Sequence, residues 1–503
     1  MTAGDVAEIH SADVMMANLL KIAKRKQAAP TGKKPARPGQ DPRKIEAAFH
    51  RAQLFWQRGQ TEEAKRAFLE VLALSPTHFG ALNNLGALLH ASGFKSAART
   101  CYAEAVKQHP DNPMGHVNLA NSLLEIGELA KAREHYEKAL RIDPGHGEAH
   151  QGFANLLEEQ GEEESAGLHR ELGYKDRSMV ILPYRGQGRP IPVIMLVSAT
   201  RGNVPIQRFL DDHVFLVTVI VTEFYDPAQP LPPHCLIVNS IGNADICQPA
   251  LEAAEKLVSL SPAPVINAPA AVLATGRVAV AERLRVVPHV VTPCMADWPR
   301  TGLEAPDVFA VLARQGFAVP FLLRAPGFNN GRYFFKIDGP QDLAAALEAM
   351  PGQEFTVIQF LDARRGDGKT RKYRVMMVNG QIYPLHAAIA RHWKIHYNTS
   401  ETPDDPELRA EEEAFLHDMP KALGQKAMTA LENIRDILDL DYGGVDFSID
   451  AHGHVVLFEA NATMIVYAPE PGERFDYRRA PIKRIMNAVQ DMLMAKSCSE
   501  TQS

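Results

Sequence analysis

The sequence predicts a multidomain chain, with an all-α repeat solenoid followed by an α/β body. Three observations predict it. Between about residues 45 and 171, residue types recur every 34 positions. Beyond Tyr184, short apolar runs alternate with helical stretches, the pattern of an open, mostly parallel sheet with crossover helices. The chain has 503 residues, enough for three or four domains at roughly 100–200 residues each.

Composition narrows the class. The 54 Lys and Arg against 60 Asp and Glu give a net charge of −6, with 46% hydrophobic and 23% charged residues. That is ordinary globular composition and excludes a fibrous or wholly disordered chain. The mild acidity gives no reason to expect a nucleic-acid partner. The five Cys, at 101, 235, 247, 294 and 498, are odd in number and form no CxxC pair. A disulfide framework or zinc cluster is therefore not expected, and a reducing, cytoplasmic setting is. No apolar run reaches the ~20 residues of a membrane helix, and no apolar core of a secretory signal opens the chain. No membrane association is expected.

Residues 1–44 hold nine Lys or Arg against four Asp or Glu, and the stretch QAAPTGKKPARPGQDP (27–42) is rich in Pro, Gly and Lys. Such a segment buries too little apolar surface to order itself, so a basic flexible arm is expected.

The repeat is a matter of arithmetic. Gly59, Gly93, Gly127 and Gly161 are spaced by 34, as are Ala64, Ala98, Ala132 and Ala166. Phe68, Tyr102 and Tyr136 keep the step, and so do Pro76, Pro110 and Pro144. A fifth series of small residues runs Ala52, Gly86, Ala120, Ala154. A period of 34 is that of the tetratricopeptide repeat, two antiparallel helices per unit. The small residues let the helices approach, the Gly ends the first helix, the aromatic fills the core and the Pro stops the second helix. Four repeats over 45–171 are expected, the last a terminal unit with Arg170 at the aromatic position. Such an array offers a surface for a peptide or protein partner. Asn83, Asn84, Asn118 and Asn121 lie on the first helices, without a full set of clamp residues for a chaperone tail.

After a linker (172–189), strands are expected at 190–198, 214–222, 235–239, 265–268 and 286–293, with helices at 248–260 and 270–285. This is an α/β subdomain over 190–301. A second body over 302–496 shows strands at 320–324, 333–337, 355–361, 373–378 and 382–386. Asn379-Gly380 marks a hairpin turn between the last two. Helices are expected at 342–350 and 410–440, a hairpin at 445–460, a closing helix at 481–496 and a short tail at 497–503.

Chemistry concentrates in that last hairpin. Asp446 stands on one strand, and Glu459 and Asn461 stand on the other with spacing two, so they share a face. Two carboxylates and an amide oxygen are hard ligands that suit Mg²⁺, typically shared with substrate phosphates. A second cluster, His386, Arg391, His392, Lys394 and His396, follows the preceding hairpin. His234-Cys235 and Cys294 sit among apolar segments and read as core thiols.

This pattern resembles the ATP-grasp superfamily, which includes carboxylate–amine and carboxylate–thiol ligases, over about residues 190–490. The D…ExN set of Asp446, Glu459 and Asn461 is the strongest likeness. The resemblance implies ATP with Mg²⁺, or Mn²⁺ in its place, held by those three residues. It implies a nucleotide-binding role for Arg324, where the family carries Lys before a flexible loop (325–332). It implies a nucleotide-binding place for Gln359, which replaces a Glu, adenine contacts by the main chain of Phe360 and Leu361, and a ribose contact by Asp362. It implies that Arg374, with Lys394, serves the transferred phosphoryl group; Lys372 stands where the family has Asp. The reaction implied is activation of a small-molecule or peptide carboxylate as an acyl-phosphate, which an amine or thiol then attacks. A non-catalytic nucleotide-binding scaffold and a kinase-like phosphotransfer remain open on the same residues. No GxxxxGK[ST] or GxSxG occurs, so P-loop and α/β-hydrolase chemistry lack their motifs.

Overall fold

The computed structural model describes residues 41–328, 331–395, 399–467 and 473–497. The basic arm, His396 and the tail with Cys498 fall outside these residues, apart from the arm's last positions. The chain divides into two compact units between Arg177 and Ser178. The division falls inside the expected linker.

The first unit is a run of paired helices: α1 Pro42–Gln57, α2 Thr61–Leu74, α3 Phe79–Ala91, α4 Lys95–Gln108, α5 Pro113–Leu124, α6 Leu129–Ile142, α7 Gly147–Glu159 and α8 Glu163–Tyr174. Side chains start the first helix of each pair. Asp41, His78, Asn112 and His146 accept backbone N–H groups of the first turn. Each such helix is followed by Gly59, Gly93, Gly127 or Gly161 with φ between 71° and 87°, a left-handed conformation that costs glycine least. Ala64, Ala98, Ala132 and Ala166 are fully buried where the helices cross. A Cβ on Gly86 would come within 2.5 Å of the Tyr102 ring, so the small residue is a packing requirement. In the last repeat Arg170 meets Glu158 at 2.9 Å instead of filling a core. Its helix runs to Tyr174, three residues past the expected end.

Two buried polar contacts repeat with the same period. His116 Nδ1 lies 2.8 Å from His135 Nδ1, and His150 Nδ1 lies 2.8 Å from His169 Nδ1. The Nε2 of His116 and of His150 each meet a carbonyl, Pro110 O and Pro144 O, at 2.9 Å. A carbonyl only accepts, so those Nε2 atoms carry the proton and their Nδ1 atoms are bare. His135 and His169 must then donate.

The second unit contains three sheets. The first has the order β1-β3-β2-β4-β5. Here β2 Ile191–Val197, β3 Phe215–Val221, β4 Leu236–Asn239 and β5 Val265–Ile266 run parallel, and β1 Met179–Ile181 adds an antiparallel edge. The second sheet is antiparallel, ordered β7-β10-β8-β9. Its strands are β7 Met295–Pro299, β8 Phe321–Arg324, β9 Phe334–Ile337 and β10 Glu354–Gln359. The third is ordered β12-β11-β13-β14-β6. It comprises β11 Thr370–Val378, β12 Gln381–Ala390, β13 Tyr442–Ile449, β14 Val455–Asn461 and the short parallel β6 Val290–Val291.

Three details differ from the sequence reading. The strand expected at 286–293 shrinks to two residues and joins the third sheet, not the first. Strands β1 and β7 add to the expected set, and β7 places the second sheet's start before residue 302. The helix expected at 270–285 is two helices, Pro269–Leu273 and Arg277–Leu284, parted at Gly276. The second of these starts where Asp245 Oδ1 accepts the Arg277 N–H at 2.8 Å. The Asn379-Gly380 turn forms as expected, with φ of 47° and 74°.

Candidate functional site

The register of the third sheet builds the site. Arg374 on β11 pairs with His386 on β12 and with Asp446 on β13, and Asp446 pairs with Glu459 on β14. One line across four strands therefore reads His386, Arg374, Asp446, Glu459. The strands reach this register because their other face is apolar. Val375, Val445, Phe447 and Ala460 are all buried in one core.

Charges along the line are paired closely. Arg374 grips Asp446 with two bonds, Nε to Oδ1 at 2.5 Å and Nη2 to Oδ2 at 2.7 Å. Lys372 Nζ adds a contact to Oδ2 at 2.5 Å. Burial would raise the Asp446 carboxyl, but Arg374 and Lys372 together hold it well below the carboxylate range. Arg277 Nη2 donates to Glu459 Oε1 at 2.7 Å, and Asn461 Nδ2 donates to the same oxygen at 2.9 Å. Burial opposes ionisation of Glu459 too, yet Arg277 and Arg324 bring its carboxyl down to about 2. Asn461 Oδ1 accepts from Thr463 N at 2.9 Å and Thr463 Oγ1 at 2.8 Å.

A cavity of about 1130 Å³ opens beside this line, between the second and third sheets. Of the residues singled out in the sequence, Arg324, Gln359, Phe360, Leu361, Arg374, His386, His392, Lys394 and Glu459 line it. Asn461 lines an adjoining small pocket together with Glu459, Arg277 and Arg324. Asp446 lies behind Arg374 and Lys372, with no exposed surface.

Each wall has a structural reason. The pairings of β10 end at Gln359, so the main chain of Phe360 and Leu361 leaves the ladder along the cavity. Trp393, on the segment after β12, sets its ring edge-on to Phe334 (5.4 Å) and Phe360 (6.5 Å). Lys394 Nζ donates to Phe334 O at 3.1 Å. Arg324 donates to Phe328 O at 2.7 Å and lies 5.6 Å from the Phe334 ring centre. Burial and the neighbouring Arg277 push the Arg324 guanidinium down to about 10. Burial and then Arg324 also lower the Lys394 ammonium. Cations under such pressure are underneutralised and favour an incoming anion. His386 is buried between Arg374 and Arg478, and burial plus the Arg374 charge keep its imidazole well below its ordinary value.

Two of the residues singled out in the sequence have partners of their own. Asp362 does not reach the cavity. It is exposed and forms a two-oxygen pair with the neighbouring Arg364 at 2.9 and 3.0 Å from Nε. The Gln359 Oε1 accepts Cys294 N at 3.0 Å and so extends the β7–β10 pairing, while the residue also lines the cavity. Conversely, Arg277 and Lys372 take part in the site although the sequence pattern assigns them no role in it. Arg277 reaches Glu459 across 182 positions of sequence, a distance over which no local pattern points. Lys372 lies two residues before Arg374 on β11, a spacing that puts both on one face.

The charge count of the site is unequal. Among the described residues, Arg277, Arg324, Lys372, Arg374, Lys394 and Arg478 face Asp245, Glu412, Asp446 and Glu459, six cations against four carboxylates. The balance suits a polyanion. The donor set of Asp446, Glu459 and Asn461 also fits a small hard cation: two carboxylates held ionised and one amide oxygen on adjacent strands. Among the described residues, the other cluster of metal-ligating groups is Asp211, Asp212 and His213 at the surface. None of the four described cysteines forms a disulfide, and Cys101 and Cys247 are buried.

Residues 49–93 and 89–147 match the family model of the tetratricopeptide repeat. The N-terminal unit is a tetratricopeptide-repeat array. No curated protein sequence matches the chain. Among solved structures, the chain is similar to an ATP-grasp RimK-domain protein of Sphaerobacter thermophilus. The identity is 15%, over 60% of this chain and 99% of that one, with a TM-score of 0.38. MamA is 21% identical over 34% of this chain and 93% of its own, with a TM-score of 0.25. The first tetratricopeptide domain of Spaghetti, solved with an HSP90 peptide, is 15% identical over 24% of this chain and 94% of its own, with a TM-score of 0.23. Among the described residues, no helix is long and apolar enough to cross a membrane.

Proposed function

We propose that the α/β unit is an ATP-dependent ligase of the ATP-grasp type, joining a carboxylate to an amine or thiol. The observation that carries this reading is the line of Arg374, Asp446 and Glu459 along a cavity with surplus positive charge. It unites the D…ExN pattern with groups suited to a triphosphate. Phe360 and Leu361 offer main-chain groups to a nucleobase, with Trp393 and Phe334 as aromatic walls. Arg324 and Arg277 take the phosphates from one side and Lys372 and Arg374 from the other.

A divalent cation held by Glu459, Asn461 and Asp446 would supply further neutralisation of charge on the phosphates. Arg374 and Lys394 stabilise the phosphoryl group as it passes from ATP to a substrate carboxylate oxygen, releasing ADP. An amine or thiol attacks the acyl carbon, phosphate leaves, and the nucleophile's proton is given up. The repeats recruit a peptide or protein partner, through first helices that carry a polar ladder. Asn118 Nδ2 donates to Asn83 Oδ1 at 2.6 Å along it.

The reaction class is tested by incubating the full chain with ATP, Mg²⁺ and mixed pools of carboxylates and amines. ADP and phosphate released in equal amounts with an amide or thioester product support a ligase. ADP with a stable phosphorylated product instead identifies phosphotransfer. ATP bound but never consumed identifies a nucleotide-binding scaffold.

A further inference from the structure

The two carboxylates of the line are not equivalent. Glu459 keeps 25% of its side chain exposed, lines the cavity, and among the described residues receives its bonds at Oε1. Asp446 has no exposed surface, and both of its oxygens are bonded to cations. The two cations that cover it, Lys372 and Arg374, retain 18% and 23% exposure and themselves line the cavity. They stand between Asp446 and any ligand. The cover on Asp446 thus has two cations where one would suffice to pair it.

We propose that Asp446 is a masked metal ligand: Lys372 and Arg374 shield it until a triphosphate draws them off, so divalent cation and nucleotide bind as one event. This rests on the nucleotide reading above. The exchange is balanced in charge. Before it, a buried carboxylate is held by two cations. After it, Lys372 and Arg374 are held by phosphate oxygens and the carboxylate by the divalent ion. At no stage is a buried charge left without a partner, which is the condition for such a rearrangement in a low-dielectric site. Arg suits both roles, since its fork matches a carboxylate and a phosphate equally well. Lys372 is therefore a residue with two partners in turn, the Asp446 carboxylate and then the phosphates. It sets how firmly the metal ligand is covered and does not itself define the metal's geometry. Linkage makes the coupling reciprocal: if nucleotide uncovers the metal site, metal must tighten nucleotide by the same factor.

The test uses the folded full chain and two probes, Mn²⁺ alone by electron paramagnetic resonance and AMP-PNP by calorimetry with and without Mn²⁺. The wild type is expected to bind Mn²⁺ weakly in the absence of nucleotide and to bind AMP-PNP at least tenfold more tightly with Mn²⁺ than in EDTA. Lys372→Met keeps the Arg374–Asp446 pair, and so the local fold. It is expected to bind Mn²⁺ alone several-fold more tightly than the wild type and to show a smaller metal effect on AMP-PNP. Lys372→Arg restores the cover and is expected to behave as the wild type. If AMP-PNP binds but Mn²⁺ alone binds the wild type and Lys372→Met equally, the masking is wrong while the nucleotide site stands. If AMP-PNP binds under neither condition, the nucleotide reading fails and the masking with it.

Discussion

The repeat array and the sheet line both bury polar groups, but they satisfy them differently. In the repeats, the tyrosine and histidine partners are neutral and close in sequence. Tyr136 donates to Asn121 at 2.5 Å across 15 positions, and the two histidine pairs each span 19. In the α/β unit the partners are charged and distant: Arg374 with Asp446 across 72 positions, Arg277 with Glu459 across 182. The first pairs neutral groups with neutral groups. The second, among the described residues, leaves positive charge over. The difference teaches where to look for chemistry: a buried network that balances is structure, and one that does not balance is a site.

Breaking each side of this contrast should have separable effects. The largest loss of stability is expected from Tyr136→Ala, which empties a fully buried site and removes the hydroxyl that bonds Asn121. A cost of about 4 kcal/mol is typical of such a truncation. Thermal melts should show the repeat transition lowered while AMP-PNP binding by the variant is retained below that transition. Loss of nucleotide binding while the repeats are still folded would show that the two units are not independent.

Next is Asp446→Ala, which strips the carboxylate from Lys372 and Arg374. Removing one partner of a buried pair costs about 3 kcal/mol or more, here at the low end because both cations reach the cavity and can hydrate. Chemical denaturation of the α/β unit measures it. A loss under about 1 kcal/mol, the range of an exposed pair, would mean that the pair holds no structural role.

A smaller effect is expected at Gly127, where φ is 77° and a Cβ would have nothing within 4 Å of it. Gly127→Ala therefore reports backbone strain alone, about 1 kcal/mol. Equal stability would show that the turn can relax into another conformation.

The smallest effect is the pH response of the repeats. Burial, then the neighbouring His116 or His150, lowers the imidazole of His135 and of His169 below its ordinary value. The folded state thus takes up these protons less readily than the unfolded chain. Stability from the pairs is present above the unfolded value and falls as pH drops below about 6.5. Replacing both His135 and His169 with Gln should flatten that slope between about pH 7 and 5, followed by circular dichroism in urea. An unchanged slope would assign the acid response to other groups.

Legibility in the sequence followed the same divide. The repeats could be read because each helix contacts its neighbours in sequence and the same residue type returns every 34 positions. Strands β2, β3, β4 and β8 to β14 could be read because their apolar runs are long enough to show. Strand β1 is too short to carry a pattern, β7 (Met295–Pro299) mixes exposed and buried positions, and the apolar run at 286–293 reads longer than the two residues of β6 that pair. At the site, spacing two placed Glu459 and Asn461 on one face, while the register that sets Asp446 opposite Glu459 comes from the strand pairing alone. Spacing could not show that Asp446 turns to Arg374 and Lys372, because that depends on the β11–β13 register. Nor could it show that Asp362 turns outward to Arg364, a choice made by a surface loop.

The central claim is that the unbalanced line on the third sheet binds a metal-bound nucleotide. Calorimetric titration of the full chain with AMP-PNP in Mg²⁺, beside Glu459→Ala, tests it most directly. Saturable binding by the wild type and none by the variant is the predicted result. No binding by the wild type, or equal binding by both proteins, would contradict it.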